Sequence, residues 1–381
     1  MFVKKIRNCL LGAASILMMV WSGLANADWT LNMTRGVTPV SHEVYQLHML
    51  ILDVVTVIGI GVFAVMFWSI YHHRKSKGAV AAKFHHSTTA EITWTIIPIV
   101  ILVVMAVPAT RTLIKMEQTS DAEITVKITG YQWRWNYDYK NEGISFFSTL
   151  AEDSNKASQR GSNIDPRTVD HYLLNVDNPL VLPVNKKIRL ITTGKDVIHS
   201  WWVPDLGWKR DAIPGFINDN WVIIETPGTY RGQCAELCGM GHGFMPIVLK
   251  AVPEEEYLAW VEEKKKAQAE ASAGSDREWT RDELMAKGEE VYKTICAACH
   301  QPTGKGVPGT FPALDGSAIV NGPVADHINR VLNGKNLMPA FGKQLPETDI
   351  AAAITYERNS WGNHTGDVIQ PKAVKAAKTA N

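Results

Sequence analysis

Apolar residues are concentrated in two long runs near the start of the chain. The first run covers residues 49–71 and contains a single charge, Asp53. The second covers residues 92–113 and is uncharged as far as Arg111. A helix of about 20 apolar residues crosses the hydrocarbon core of a bilayer. The pattern therefore predicts a two-helix transmembrane hairpin within residues 28–117.

The segment between the two runs, HHRKSKGAVAAKFHH, indicates how this hairpin is oriented. It is rich in lysine and arginine, and short basic loops stay on the cytoplasmic side. Residues 1–27 combine basic residues, an apolar run and an A-x-A ending at Ala27, which is typical of a secretory signal peptide. Cleavage there would remove Cys9. Both ends of the mature chain are predicted to lie outside the cytoplasm.

Beyond residue 118 the apolar positions alternate, which is the period of β-strands. In EITVKITGYQWRWNYDY the alternation changes parity at Gly130, and we interpret this as a β-bulge. Further strand-like runs are PLVLPV, KKIRLITTG, NWVIIETPGTYRG and FMPIVLKAV. Short strands separated by turn signals predict an all-β sandwich or barrel over residues 118–252. Residues 140–170 are polar and are predicted to form a surface excursion.

The last third of the chain changes to helical periodicity. Residues 253–280 are charged and rich in Ala and Ser, which favours a linker whose first part is helical. Residues 281–362 carry helical patterns at DELMAKGEEVYKTICAACH and ETDIAAAITYERNS, so an all-α domain is predicted. Residues 363–381 form a Lys/Ala-rich tail, which we expect to be disordered.

Charge and cysteine content narrow the classes of function. The net charge of the 381 residues is +1, which gives no reason to expect a nucleic-acid partner. The five cysteines reduce to four after signal cleavage, and these four form two tight pairs. Two local pairs would make a poor disulfide framework, even in an exported protein.

The second cysteine pair has the spacing of a c-type haem attachment site. In CAACH, Cys296 and Cys299 would bond the porphyrin and His300 would ligate the iron. Met338, in NLMPAFG, is the candidate sixth ligand, since His/Met ligation suits an electron-transfer haem. The alternatives are His327 or Met285 as sixth ligand, and a redox pair or half of a zinc site in place of haem. Residues 281–362 resemble class I cytochrome c through CAACH, FPALDG and NLMPAFG.

The first pair lies in GQCAELCGMGHGFM, which begins at Gly232. Its glycines argue against a helix and favour a loop. A disulfide, a zinc site, a redox dithiol and a copper site are all open from this stretch alone. Thiolate, imidazole and thioether donors together suit copper electron transfer. Two thiolates could bridge two copper ions, but a second imidazole is then needed, and His199 in DVIHSWWVP is the candidate.

Five stretches together resemble cytochrome c oxidase subunit II: AEITWTIIP, GYQWRWNYDY, VIHSWWVP, KRDAIPG and CAELCGMGHGFM. They cover about residues 40–252 in the family's order. The resemblance implies a cupredoxin-like sandwich that holds CuA, a binuclear copper centre. The implied ligands are two bridging thiolates, two imidazoles, a weak thioether and a backbone carbonyl: Cys234 and Cys238, His199 and His242, Met245, and Glu236. The carboxylate of Glu236 is further implied to help bind a magnesium ion shared with subunit I.

The same resemblance implies roles for two other residues. Trp133 resembles the exposed tryptophan through which electrons enter, whereas Trp135 is interpreted as strand packing. Glu91 resembles the glutamate at the mouth of a proton channel into subunit I, and ionisable residues in membrane helices are functional candidates by default.

The fused cytochrome resembles oxidases whose subunit II carries its own cytochrome c. Electrons are then expected to pass from an external cytochrome c or similar donor, through haem c and CuA, to subunit I. There oxygen is reduced to water with proton translocation. The resemblance implies subunits I and III as partners. The expected location is the bacterial plasma membrane, with two spans in the lipid and both metal domains on the periplasmic side. The chain alone is expected to be inactive.

Three other functions compete with this interpretation. A CuA subunit of another respiratory enzyme, such as a nitric oxide reductase, is the main alternative, although AEITWTIIP with Glu91 favours the oxidase. The quinol-oxidase relative is disfavoured because it lacks the copper ligands. A membrane-anchored thiol-redox or copper-delivery protein would explain the two cysteine pairs, but not the two distant histidines or the CxxCH.

Overall fold

Two long helices begin the part of the chain that the computed structural model describes, which is residues 32–379 without 81, 82, 84, 160, 275, 337 and 343. The predicted signal peptide and Cys9 lie outside these residues. The helices are α1 (Pro39–His72) and α2 (Thr88–Met116), with mean hydropathies of 2.6 and 2.4 in their most apolar windows. At 1.5 Å per residue α1 is about 51 Å long. It is therefore longer than the bilayer core, and we call this pair the membrane hairpin.

The membrane hairpin is fixed to the domain that follows it. Thr38 caps α1 in a reciprocal capping box with Ser41, and its hydroxyl donates to the carbonyl of Leu206 at 3.0 Å. Near the same end, Glu43 forms an ion pair with Lys115 of α2. The first turns of α1 thus pack against protein, which is why the helix begins well before the predicted span at residue 49.

The second unit is a two-sheet sandwich, and among the described residues it has ten strands. They are β1 (Ile124–Tyr131), β2 (Arg134–Tyr139), β3 (Ile144–Ser148), β4 (Leu180–Pro183), β5 (Ile188–Gly194), β6 (His199–Val203), β7 (Trp208–Ala212), β8 (Asn218–Val222), β9 (Gly228–Cys234) and β10 (Pro246–Val252). The sheet orders are β3-β2-β1-β5-β8 and β4-β10-β9-β6-β7. The predicted all-β sandwich is confirmed.

The expected β-bulge at Gly130 is wrong. β1 and β2 form an antiparallel hairpin in which Tyr131 pairs with Arg134, so Gln132 and Trp133 make the turn. A two-residue turn reverses the chain and also shifts the parity of the apolar positions, which is why the sequence pattern did not distinguish the two cases. The turn places Trp133 at one end of the sandwich.

Aromatic side chains fill the space between the sheets. Trp135, Tyr137 and Tyr139 on β2 are fully buried, and so is Trp201 on β6. The hydroxyl of Tyr139 donates to the carbonyl of Val181 at 2.7 Å, so its polar end is satisfied inside the core. This rigid core supports the chain ends that carry the candidate ligands.

The predicted surface excursion over residues 140–170 contains regular structure. Its start is β3, which pairs with β2 at the edge of the first sheet, and α3 (Glu152–Ser158) follows. Phe146 and Phe147 of β3 lie next to aromatic residues of the sandwich. The polar residues around ISFFS conceal this short strand in the sequence.

The predicted linker is largely a packed helix, α4 (Glu254–Ala273). Tyr257 and Val261 are each 3% exposed and belong to the sandwich core, and Trp260 lies 5.2 Å from the ring of Tyr139. These apolar residues lie on one face at helical spacing, so α4 is bound to the sandwich. Only residues 274–280 connect it to the next domain.

The third unit is helical, as predicted, and we call it the helical domain. Its helices are α5 (Arg281–Val291), α6 (Ala297–His300), α7 (Ala318–Asn321), α8 (Val324–Asn333), α9 (Glu347–Arg358) and α10 (Pro371–Thr379), with a π-helical turn at Tyr292–Cys296. The disordered tail expected for residues 363–381 is not what the structure shows. Val374 of α10 is fully buried, and Lys378 pairs with Glu347 at 2.7 Å, so this segment packs onto α9.

Candidate metal centre and haem site

The first cysteine pair lies where β9 ends and the loop to β10 begins. The Sγ atoms of Cys234 and Cys238 are 3.8 Å apart. The Cys238 Sγ lies 3.6 Å from Nδ1 of His242 and 3.5 Å from Sδ of Met245. The Cys234 Sγ lies 3.3 Å from the carbonyl oxygen of Glu236, whose side chain is exposed. The loop thus gathers two sulfurs, an imidazole, a thioether and a carbonyl within a few ångströms.

His199 completes the cluster from the neighbouring strand β6, which pairs with β9. Its side chain is fully buried, and its Nε2 lies 2.8 Å from Oδ1 of Asp196. Its Nδ1 has no hydrogen-bond partner among the described residues. Ligand atoms of His199, Cys234 and Cys238 all lie within 4.8 Å of one another. A buried imidazole nitrogen without a partner, next to two thiols, fits a metal ligand.

The two thiols of the cluster share a hydrogen bond that affects them in opposite directions. It lowers the pKa of Cys234 and raises that of Cys238, so one of the two is favoured as thiolate. Burial alone would lower the pKa of His199, but the hydrogen bond that His199 donates to Asp196 and the neighbouring Cys234 outweigh it and raise that pKa. Thiolate and neutral imidazole are the forms that bind metal, so a cation would displace the protons of Cys238 and His199 when it binds.

Polar side chains of the β1–β2 turn hold in place the loop of residues 234–245, which we call the metal loop. Gln132 Nε2 and Trp133 Nε1 both donate to the carbonyl of Cys238, at 2.9 and 3.0 Å. On the next strand, Trp135 Nε1 donates to the carbonyl of Met245 at 3.2 Å, and its ring is fully buried, so it is a packing residue as interpreted. Trp133 is thus bonded directly to the backbone of a candidate ligand.

The second cysteine pair lies after α5 in the helical domain: Cys296 ends the π-helical turn, and Cys299 lies in α6. His300 is 8% exposed, and its Nδ1 donates to the carbonyl of Pro312 at 2.9 Å. This bond fixes the tautomer and leaves Nε2 free to ligate iron. Burial raises the pKa of both Cys296 and Cys299. Such neutral, enclosed thiols and an oriented imidazole fit a covalently attached haem.

The candidates for the sixth iron ligand lie in different settings. Met338 is half-buried and packs against the apolar cluster of the helical domain. His327 is buried, but its Nε2 is 2.9 Å from Oε2 of Glu357. Met285 is half-buried in α5. Like His199, His327 has one nitrogen on a carboxylate and a second nitrogen without a partner among the described residues. The preference for Met338 therefore rests on its chemistry, since His/Met ligation suits an electron-transfer haem.

Glu91 lies in the first turn of α2, on the predicted cytoplasmic side. Its Oε1 accepts from the backbone N–H of Ser87 at 3.3 Å, and its side chain is exposed in the chain alone. A carboxylate in the first turn is stabilised by the helix dipole. The residue therefore caps the helix, and the rest of its surface is free for a partner.

Comparison with known proteins finds a matching family model for each of the three parts of the chain. The family model of the cytochrome c oxidase subunit II transmembrane domain matches residues 26–112, and that of its periplasmic domain matches residues 124–252. Residues 283–356 match the model of cbb3-type cytochrome c oxidase subunit III. The probable cytochrome c oxidase subunit 2 of Rickettsia bellii is 39% identical over 243 residues, covering 63% of this chain and 86% of that one.

The chain belongs to the cytochrome c oxidase subunit II family. Cytochrome c oxidase subunit 2 of Cereibacter sphaeroides is 38% identical over 234 residues, 59% of this chain and 77% of its own. Among solved structures, the periplasmic domain of subunit II from Bradyrhizobium japonicum is 41% identical, with a TM-score of 0.34, covering 39% of this chain and 99% of that one. The protein is thus subunit II of a haem–copper oxidase, anchored in a membrane, with a periplasmic domain and a cytochrome c domain.

Sequence reasoning missed three residues that shape the subunit II metal loop. Asp196 orients His199, Gln132 holds the carbonyl of Cys238, and Gly241 lies directly against the Trp133 ring. Of these three, only Asp196 could have been identified from the sequence. An acidic residue three positions before a candidate ligand histidine is placed to orient that histidine.

Proposed function

We propose that this subunit transfers electrons from its covalent haem c to a binuclear CuA centre and on to the haem–copper site of subunit I. The observation that carries the proposal is the buried cluster of His199, Cys234 and Cys238, in which the imidazole Nδ1 has no other partner. When bound, haem c and CuA accept and release single electrons. A proton-translocating cytochrome c oxidase needs such a relay in the subunit that faces its donor.

The copper would be held by the donors that the loop and β6 bring together. Cys234 and Cys238 would supply thiolates, and His199 Nδ1 and the His242 imidazole would supply nitrogens. Met245 Sδ and the Glu236 carbonyl are the weaker donors. This is the mixed sulfur, nitrogen and weak-ligand set that copper electron-transfer sites use.

The residues around these donors act by fixing them in place. Asp196 orients His199, and Trp133, Trp135 and Gln132 hold the carbonyls of the loop. The cluster is nearly closed to water, since Cys234, Cys238, Met245 and His199 are at most 4% exposed. Rigid, dry surroundings reduce the rearrangement that accompanies a change of metal charge, and that favours fast electron transfer.

On the helical domain, Cys296 and Cys299 would form the thioether bonds and His300 would ligate the iron through Nε2. Met338 is the proposed sixth ligand. Trp133 is the proposed entry point for electrons into CuA, because it is bonded to the carbonyl of Cys238.

The remaining roles concern the partners of this subunit. Glu91, at the cytoplasmic start of α2, is the proposed entry to a proton channel in subunit I. The exposed carboxylate of Glu236 is the proposed contribution to a shared magnesium site. Subunits I and III, an external cytochrome c or similar donor, and the bacterial plasma membrane complete the assembly that we propose.

A metal analysis of the full-length protein tests the copper proposal. The wild type is expected to contain two copper ions per haem iron, with a purple mixed-valence copper signal beside the c-type haem spectrum. His199→Ala should lose that signal and keep the haem spectrum, because the two sites lie in different domains. His364→Ala, which changes an exposed histidine, is the matched control. Zinc in the wild-type site, or a Cys234–Cys238 disulfide in copper-loaded protein, would refute the assignment.

A further inference from the structure

Arg134 is a buried cation at the junction of the sandwich and the helical domain. It is the first residue of β2, directly after Trp133, and is 5% exposed. Its Nη2 donates to Oε1 of Gln344 at 3.1 Å, and its Nε has no partner among the described residues. Within that same part of the chain, no carboxylate lies at ion-pair distance from its guanidinium. Burying a charge without an ionic partner is unfavourable, so the position of Arg134 calls for an explanation.

Aromatic rings from both domains surround the guanidinium. Its Cζ lies 4.5 Å from the ring centre of Phe147 and 5.9 Å from that of Tyr131, both in the sandwich. On the other side it lies 5.2 Å from the ring of Phe341, which belongs to the helical domain. Cation–π contacts of this kind are stronger when water is excluded. The favourable surroundings of Arg134 are therefore complete only when the two domains are in contact.

The helical-domain residues that contact Arg134 lie close in sequence to a candidate iron ligand. Gln344 accepts its hydrogen bond and Phe341 faces its guanidinium, and both follow Met338, the proposed sixth ligand, by at most six residues. Arg134 thus contacts the segment of the helical domain that would hold the haem iron.

Trp133 contacts a second segment of the helical domain. Its ring centre lies 6.4 Å from that of Phe311, edge to face at 84°. Phe311 immediately precedes Pro312, whose carbonyl fixes the iron-ligating His300. The contact sequence from the haem pocket to the metal loop therefore runs through Phe311 and Trp133 to the carbonyl of Cys238.

We propose that Arg134 is the positioning residue that holds the helical domain against Trp133, so that electrons enter the copper site from this chain's own haem. The inference rests on the proposed function. It adds that the contact between the sandwich and the helical domain, held by Arg134, fixes the distance between the haem and copper sites. With the helical domain in this position, Phe311 contacts the ring of Trp133, which is half-buried. An external cytochrome would then reduce the helical domain rather than the sandwich.

The test compares Arg134→Gln with Arg167→Gln in the assembled oxidase. Arg167 lies in the polar excursion, and its side chain is 90% exposed. Two quantities are measured: the rate of haem-to-copper electron equilibration after photoreduction, and hydrogen exchange of residues 308–314 and 340–346. Arg134→Gln should slow equilibration by about tenfold or more, because small misplacements at a transfer junction are costly. Exchange in both segments should become faster. Arg167→Gln should match the wild type.

The haem c midpoint potential separates a positioning role from a general loss of stability. Removing a positive charge near the haem edge should lower that potential. Arg134→Lys should restore the potential, but only part of the rate, because lysine lacks the planar donor fork that reaches Gln344. If Arg134→Gln fails to assemble, Gln344→Ala removes the same hydrogen bond from the other domain and should slow equilibration by a few-fold.

Two results would distinguish the possible failures. Unchanged equilibration and exchange in Arg134→Gln or Gln344→Ala, with both the haem and the copper spectra intact, would overturn the positioning role alone. If the wild type itself lacks the copper or the haem signature, the proposed function fails before Arg134 is tested.

Discussion

At the scale of single residues, two glycines allow rings to lie directly against backbone at the metal site. A Cβ at Gly241 would stand 2.3 Å from Cδ2 of Trp133, and a Cβ at Gly130 would stand 2.7 Å from Cδ2 of His199. Both distances are far below van der Waals contact. Glycine is the residue that permits such close approach. The positions of Trp133 and of His199 therefore depend on glycine, which has no side chain, at residues 241 and 130.

The two glycines of the GHG segment provide a matched pair for testing this. Gly241→Ala should displace the Trp133 ring and cost about 1–3 kcal/mol in stability, the usual effect of overpacking. It should also reduce copper loading, since the same loop carries His242. Gly243→Ala should bind copper normally, because nothing lies within 4 Å of a Cβ there. Copper-to-protein ratios and thermal denaturation of the two variants decide it, and equal loading would show that the Trp133 contact is unimportant.

The donors of the site could be predicted from the sequence, but their support could not. Residue type and spacing single out Cys234, Cys238, His242 and Met245, because soft donors within twelve residues can converge on one ion. Gln132 is hydrogen-bonded to Cys238, which lies 106 residues away in the sequence. Gly241 contacts Trp133, which lies 108 residues away. A short-range pattern cannot reveal such contacts.

At the scale of helices and strands, a few apolar residues fix two segments that were predicted to be a linker and a disordered tail. These segments are residues 253–280 and 363–381. In α4 these are Tyr257, Trp260 and Val261, and near the C-terminus they are Ile369 and Val374. The spacing of the three α4 residues fits one helix face, whereas Ile369 precedes α10 and only Val374 lies in it. Charged and small residues dominate both segments. The long apolar runs and the alternating strands were predictable because each carries its period over many residues. α4 and α10 depend on tertiary packing instead.

The C-terminal segment is further fixed to α9 by an ion pair. Arg358 is 3% exposed, and Asp367 accepts from its Nε at 2.9 Å. Asp367→Asn should destabilise the helical domain by about 1–3 kcal/mol, less than a fully buried pair because Asp367 is partly hydrated. Asp276→Asn, which removes the exposed partner of Lys375, should cost about 0–1 kcal/mol. Denaturation of the full-length variants, followed at the haem Soret band, gives both values.

The same pair predicts a pH dependence. The hydrogen bond from Arg358 lowers the pKa of Asp367 below its ordinary value. A carboxylate with a lowered folded-state pKa contributes stability above its unfolded pKa, about 3.9, and loses it as the pH falls through the folded value. The difference between wild type and Asp367→Asn should therefore be full near neutral pH and shrink in acid below about pH 4. A constant difference down to pH 2 would contradict the ion-pair explanation.

At the scale of the whole molecule, the helical domain is joined to the rest by several short contacts far apart in sequence. Arg134 and Gln344 are 210 residues apart, and Trp133 contacts Phe311 across a similar separation. At the connecting segment, Trp279 and Gln370 exchange two hydrogen bonds of 2.9 Å. The order of the domains was readable from composition. Their arrangement was not, because it depends on single side chains that carry no periodic signal.

The contacts at Trp133 and Arg134, and not residues 274–280, are proposed to hold the helical domain in place. If so, lengthening residues 274–280 should have little effect by itself. Inserting Gly-Ser-Gly-Ser after Gly274 should change haem-to-copper equilibration by no more than about two- to threefold, since loop entropy rises slowly with length. The same insertion after Gly161, in the polar excursion, is the control.

Combined with Arg134→Gln, the insertion after Gly274 should slow equilibration by more than the product of the two single effects. Once the junction is weakened, contact depends on the effective concentration that the tether provides, and a longer flexible tether lowers it. Equilibration rates of the wild type, both single variants and the double variant form the test. A large loss from the insertion alone would mean that residues 274–280 themselves hold the two domains in register. In that case residues 274–280 determine the arrangement of the two domains, and the contacts at Trp133 and Arg134 are a consequence of it.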